Sequence, residues 1–92
     1  MMRLTEHQRR LLERMTELLD LYRRGDIDFS RLVGELEGTL DAAELQESDL
    51  VRQWYQVWTP LEITRAVRGS DVRYEDVARE IDALRGFIQE HL

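Results

Sequence analysis

The residues of this 92-residue chain with chemistry to offer are two histidines, nineteen carboxylates, two tryptophans and a pair of glycines spaced by four. A metal site built on helices needs histidines four apart or a Glu-x-x-His pair. His7 and His91 stand near opposite ends of the chain, and neither has such a partner. With no cysteine, thiolate nucleophiles, disulfides and cysteine metal sites are excluded. No nucleophile stands beside a base and no phosphate-binding loop occurs, so the constellations on which catalysis draws are missing. The chain reads as a protein that is not an enzyme and takes no cofactor. Its carboxylates read as ordinary helix surface, where Glu6 attracts Arg10 and Glu13 repels Glu17. Trp54 and Trp58 could stack on a ligand, but they fall within a leucine stripe and are expected in a core. Tyr55, at the edge of that stripe, and Phe87, off the inward face of its helix, are expected to be partly exposed.

Gly34 and Gly38 have the small-xxx-small spacing of membrane helix pairs, in a helix too charged for lipid. With Phe29, Leu32, Leu36 and Leu40 turned to a core, the helical rotation directs Gly34, Gly38 and Ala42 outward. A glycine in a helix interior costs about 1 kcal/mol relative to alanine. Two on one outward face point to close approach by a partner, to close approach by the protein's own loops, or to drift on a tolerant surface. Beside them Glu37, Asp41 and Glu44 recur at i, i+4 and i+7 as a negative stripe. Gly34, Glu37, Gly38, Asp41 and Glu44 are therefore the candidate partner-binding residues.

The elements that must position these residues follow from a 3.6-residue apolar period, with no stretch alternating as a half-buried strand would. Thr5 and Gln8 form a capping-box signature for a first helix over about 5–24, inward through Leu11, Leu12, Met15, Leu18, Leu19 and Tyr22, and stopped by Gly25. Asp28 caps a second helix ending near Glu44. Ser48 or Asp49 caps a third, with Leu50, Trp54, Val57, Trp58 and Leu61 inward. Thr59-Pro60-Leu61-Glu62 reads as a fresh start, and the apolar phase shifts afterwards to Ile63, Ala66 and Val67, so a kink or break at Pro60 is predicted. Gly69 ends that helix, and Ser70 or Asp71 caps a fourth carrying Tyr74, Val77, Ile81, Leu84 and Ile88. Short connections imply antiparallel neighbours: an all-α antiparallel four-helix bundle with helix 3 kinked or broken at Pro60, in one domain spanning 1–92. Three helices plus a hairpin is the competing arrangement.

Net charge narrows the partner. Nineteen acidic residues against thirteen basic ones give −6, and residues 32–51 hold six acids and no arginine, so this one segment carries the whole excess. Nucleic acid and anionic membrane are disfavoured as partners and a basic protein surface is favoured. No apolar run approaches the roughly 20 residues of a membrane span and no signal-peptide pattern is present, so a cytoplasmic location is expected. All thirteen basic residues are arginine, which is read as the bias of a GC-rich genome.

The run Leu18-Leu19-Asp20-Leu21-Tyr22-Arg23-Arg24-Gly25-Asp26-Ile27-Asp28-Phe29, continued by Leu36-Glu37-Gly38 and Trp58-x-x-Leu61-Glu62, resembles small bacterial immunity proteins of the colicin-D type. It is equally similar to other short bacterial four-helix proteins. The resemblance spans roughly residues 15–65 and consists of helix lengths, the glycine turn and apolar pattern. It implies a four-helix fold and, for the immunity type, a protein that neutralises a cognate toxin by masking a basic surface. The second reading is a self-associating structural or adaptor module, a homodimer through helix 2. The chain is thus expected to be a monomer or a homodimer.

Overall fold

Capping chemistry sets the helix boundaries in the computed structural model, which describes residues 4–45 and 48–92. Thr5 Oγ1 accepts the Gln8 N–H at 3.0 Å and Gln8 Oε1 accepts the Thr5 N–H at 3.0 Å, opening α1 at Glu6–Arg23. Gly25, at φ +83°, closes it: the Asp26 N–H reaches the Leu21 carbonyl and the Gly25 N–H the Tyr22 carbonyl, a Schellman arrangement that needs a left-handed residue at Gly25. Asp28 Oδ1 accepts the Arg31 N–H at 2.8 Å and starts α2, Phe29–Ala43. Helix α3 runs Ser48–Arg68 and α4 Tyr74–Glu90. The predicted start of α3 adjoins residues 46 and 47, which lie outside the described residues.

Each helix packs on two others in a closed ring, α1 on α2, α2 on α3, α3 on α4 and α4 on α1. Cross-links fix the directions. Gln8 Nε2 donates to the Ala43 carbonyl, joining the start of α1 to the end of α2, and Arg9 donates to the Leu92 carbonyl at 2.9 Å, joining the start of α1 to the chain just beyond the end of α4. Trp58 Nε1 donates to the Val33 carbonyl at 3.2 Å between α3 and α2. Neighbours are antiparallel, as the short connections require, and the all-α four-helix bundle is observed. The core holds the leucine stripes of α1 and α2, with Trp54 and Trp58 stacked at 5.5 Å. Both tryptophans are buried, as their place in the stripe predicts.

Two boundary expectations are corrected. Helix α3 is a single element through Pro60, so the chain does not break and restart at Thr59. Nor does the apolar phase turn inward after Pro60: Ile63 is 59% and Val67 78% exposed, and Ala66 is exposed beside them. Helix α4 begins two or three residues later than Asp71 or Ser70 would start it. Its cap is Arg73, whose N–H is taken by Asp76 Oδ2 at 3.1 Å. Val72 is drawn into the core instead, because Tyr22 Oη donates to its carbonyl at 2.8 Å across the bundle. The non-helical backbone within a helix lies at Val77 (φ −127°, ψ 15°), one turn into α4, where the sequence offers neither proline nor glycine.

Candidate functional site

The outward side of α2 has two unlike edges separated by its glycines. Toward α1, a groove is lined by Leu11, Arg14 and Leu18 of α1 and by Gly34, Glu35, Gly38, Thr39 and Ala42 of α2. A methyl group built on Gly34 or Gly38 would meet nothing within 4 Å. Among the described residues, packing therefore requires neither glycine, and no described loop closes on them. Thr39 Oγ1 turns back to the Glu35 carbonyl at 2.7 Å, presenting its methyl group to the groove. Arg14 and Glu35 frame the groove with opposite charges, Arg14 bonded to Glu17 at 3.1 Å and Glu35 facing Arg31 at 3.5 Å.

Toward α3 lies the acidic edge, and its three carboxylates are not equivalent. Glu37 is half-buried and accepts a hydrogen bond from Tyr55 Oη at 3.0 Å, so it belongs to the α2–α3 contact. Partial burial, with the Glu37 bond second, raises the Tyr55 phenol above its ordinary range. This corrects the reading of an all-outward stripe: α2 turns Glu37 toward α3 while Asp41 and Glu44 stay exposed. Glu44 ends the helix in left-handed backbone, φ 48° and ψ 48°, a conformation that favours glycine or asparagine. The structure thus brings Gly34, Gly38 and Asp41 to one exposed face with Glu44 at its end, and takes Glu37 partly out of it.

Sequence reasoning missed the α1 side of the groove. Leu11 and Leu18 share the apolar stripe of α1, and nothing in their spacing tells which lines an opening; Leu18 is buried and Leu11 only half so. Glu35 was hidden in the same way, as one more surface acid. Elsewhere the described residues hold no group of three metal-ligating side chains. His7 is exposed, and His91 Nδ1 lies 2.8 Å from the Phe87 carbonyl with its ring against Phe87. Among the described residues, no helix is long and apolar enough to cross a membrane.

Fold and surface together define a small four-helix bundle with an open groove on one side of α2 and exposed carboxylates on the other. Compared with protein-family models, with curated proteins and with solved structures, the chain matches none of them.

Proposed function

We propose that this protein is a non-catalytic binding domain that presents the outer face of α2 to a basic protein. The observation that carries the reading is the empty space over Gly34 and Gly38, beside exposed Asp41 and Glu44 and above an apolar groove floor. A partner's backbone or bulky apolar side chain enters where the glycines leave room. Its arginines or lysines meet the carboxylates at the rim, where charge-assisted bonds add strength and the acidic field speeds encounter. In its specific form, supported by the resemblance of residues 15–65 to bacterial immunity proteins, the partner is a toxin whose basic surface is masked.

The test is capture from a lysate of the source cells on immobilised parent, Gly38→Leu and an Asp41→Lys, Glu44→Lys double variant, followed by binding kinetics on the recovered protein. Gly38→Leu blocks the groove by sterics and the double variant reverses the rim charge, while neither touches the Tyr55–Glu37 bond. A basic protein retained by the parent and lost from both variants is expected. A partner that binds all three with equal affinity would show α2 to be an ordinary solvated face.

A further inference from the structure

Helix α3 is apolar on two sides. One side, Leu50, Trp54, Trp58 and Leu61, is core. The other, diametrically opposite, carries Gln56, Thr59, Pro60, Ile63 and Val67, all exposed, around a shallow hollow bounded by Arg52 and Tyr55. Among the described residues, Ile63 and Val67 are two of the three exposed large hydrophobics. The helix touches only α2 and α4, and no described element covers them.

We infer that this face of α3 is the contact through which two copies of the chain pair, antiparallel and two-fold. The charge pattern selects a second copy. A two-fold contact sets every group near the axis against its own symmetry mate, so charge there is repulsive. Gln53 to Leu61 is the longest uncharged stretch of a chain in which 35% of residues are charged. The charges bounding it are already neutralised in pairs: Asp49 with Arg52 at 3.1 Å, Glu62 with Arg65, and Arg68 with Asp76 at 3.2 Å. Arg65 also holds the Glu62 carboxyl below its usual range. Copies with a net charge of −6 repel one another, and Glu35, Glu37, Asp41 and Glu44 of the acidic segment sit on or at the end of α2, away from this face, while Asp49 at its edge is paired with Arg52. A two-fold axis near Thr59 and Pro60 lays Ile63 beside Gln56 of the second copy and Val67 along the stem of its Arg52. It also opposes the two helix dipoles. The same pairing through α2 would bring Asp41 and Glu44 against their own copies, so self-association belongs to α3. This inference is independent of the proposed function of α2, which stays open to a partner in the dimer.

The strip from Arg52 to Val67 is about 22 Å long and about 10 Å wide, well short of the roughly 800 Å² per partner of a standard interface. The dimer is accordingly weak and favoured by salt, which screens the repulsion between copies.

Sedimentation equilibrium from 10 µM to 1 mM protein, at about 20 and 200 mM salt, tests this directly. A monomer–dimer equilibrium is expected, several-fold tighter at the higher salt and abolished in an Ile63→Arg, Val67→Arg variant with parental circular dichroism and melting temperature. Because the chain has no cysteine, Thr59→Cys gives a second readout. It should oxidise to a covalent dimer at least ten-fold faster than Gly86→Cys, placed on exposed α4. A parent that stays monomeric at 1 mM overturns the inference and leaves the face to a foreign partner. So does a dimer that salt weakens, one that survives the double arginine variant, or equal oxidation rates at the two cysteines.

Discussion

Tyr22 shows how much structure a single polar atom can fix. Its ring is buried against Phe29, and its hydroxyl donates to the Val72 carbonyl, tying the α3–α4 connection to α1 and leaving Tyr74 as the first residue of α4. Removing the hydroxyl strands a buried carbonyl, so Tyr22→Phe should lower stability by about 1–2 kcal/mol, read from urea unfolding at neutral pH. The phenol is pushed up to about 12, first by burial and then by Asp76 and Glu75, with Arg68 opposing. An unfolded tyrosine titrates near 10. The folded state thus holds the proton more tightly, and this contribution is fully present below about pH 10 and lost as pH rises toward about 12. The parent should lose stability faster than Tyr22→Phe across that window; parallel curves would remove Tyr22 from the alkaline transition. Glu44 is the opposite case, a side chain on backbone that disfavours it. Glu44→Gly should raise the unfolding free energy by about 1 kcal/mol, and a loss on the same measurement would mean that the carboxylate makes a contact worth more than the backbone strain.

At the level of elements, what was legible in the sequence follows from which interactions are local. Thr5 with Gln8, Asp28, and Gly25 each act within one turn, so they place the ends of α1 and the start of α2 from residue types alone. The start of α4 depends on a contact fifty positions away, Tyr22 with Val72, and Ser70-Asp71 gives no sign of it. The candidate face of α2 was legible in part for the same reason. Helical rotation puts Gly34, Gly38 and Asp41 outward, but the tilt of Glu37 toward Tyr55 depends on where α3 lies. The phase shift at Pro60 has two possible causes: a face turned inward beyond the proline, or a second face left outside. Ile63 and Val67 show the second. Pro60 then sits exposed in a continuous helix with no N–H to offer the Gln56 carbonyl. Pro60→Ala restores that donor and, after the greater freedom of alanine in the unfolded chain is set against it, should stabilise the protein by about 1–2 kcal/mol in thermal or urea unfolding. A decrease would show that the ring makes packing contacts its exposure does not suggest.

Across the whole molecule, the charge distribution sets stability against binding. The bundle closes its ring with apolar stripes and tolerates an acidic segment on one wall, where Asp41 lies four residues from Glu37 and three from Glu44. Like charges at those spacings each destabilise a helix by about 0.2–0.5 kcal/mol. The last turn of α2 has no basic residue to complement the negative end of its dipole, although one there is worth about 0.3–1 kcal/mol. Asp41→Lys reverses all three terms: two repulsions become attractions, a cation reaches the helix C-terminus, and the Glu37–Tyr55 bond is untouched. The variant should therefore be more stable than the parent by about 1 kcal/mol at low salt, raising the melting temperature by roughly 4–8 °C for a domain of this size. The gain should shrink by half or more in 0.5 M salt, because the terms are solvent-exposed and screened. Melting both proteins at the two ionic strengths decides it. A salt-independent gain would assign the effect to side-chain propensity, and no gain would mean that the acidic wall carries no strain. If the gain appears and the variant also loses its basic partner, the same aspartate weakens the fold and holds the complex, a cost in stability that a merely solvated face would have no reason to keep.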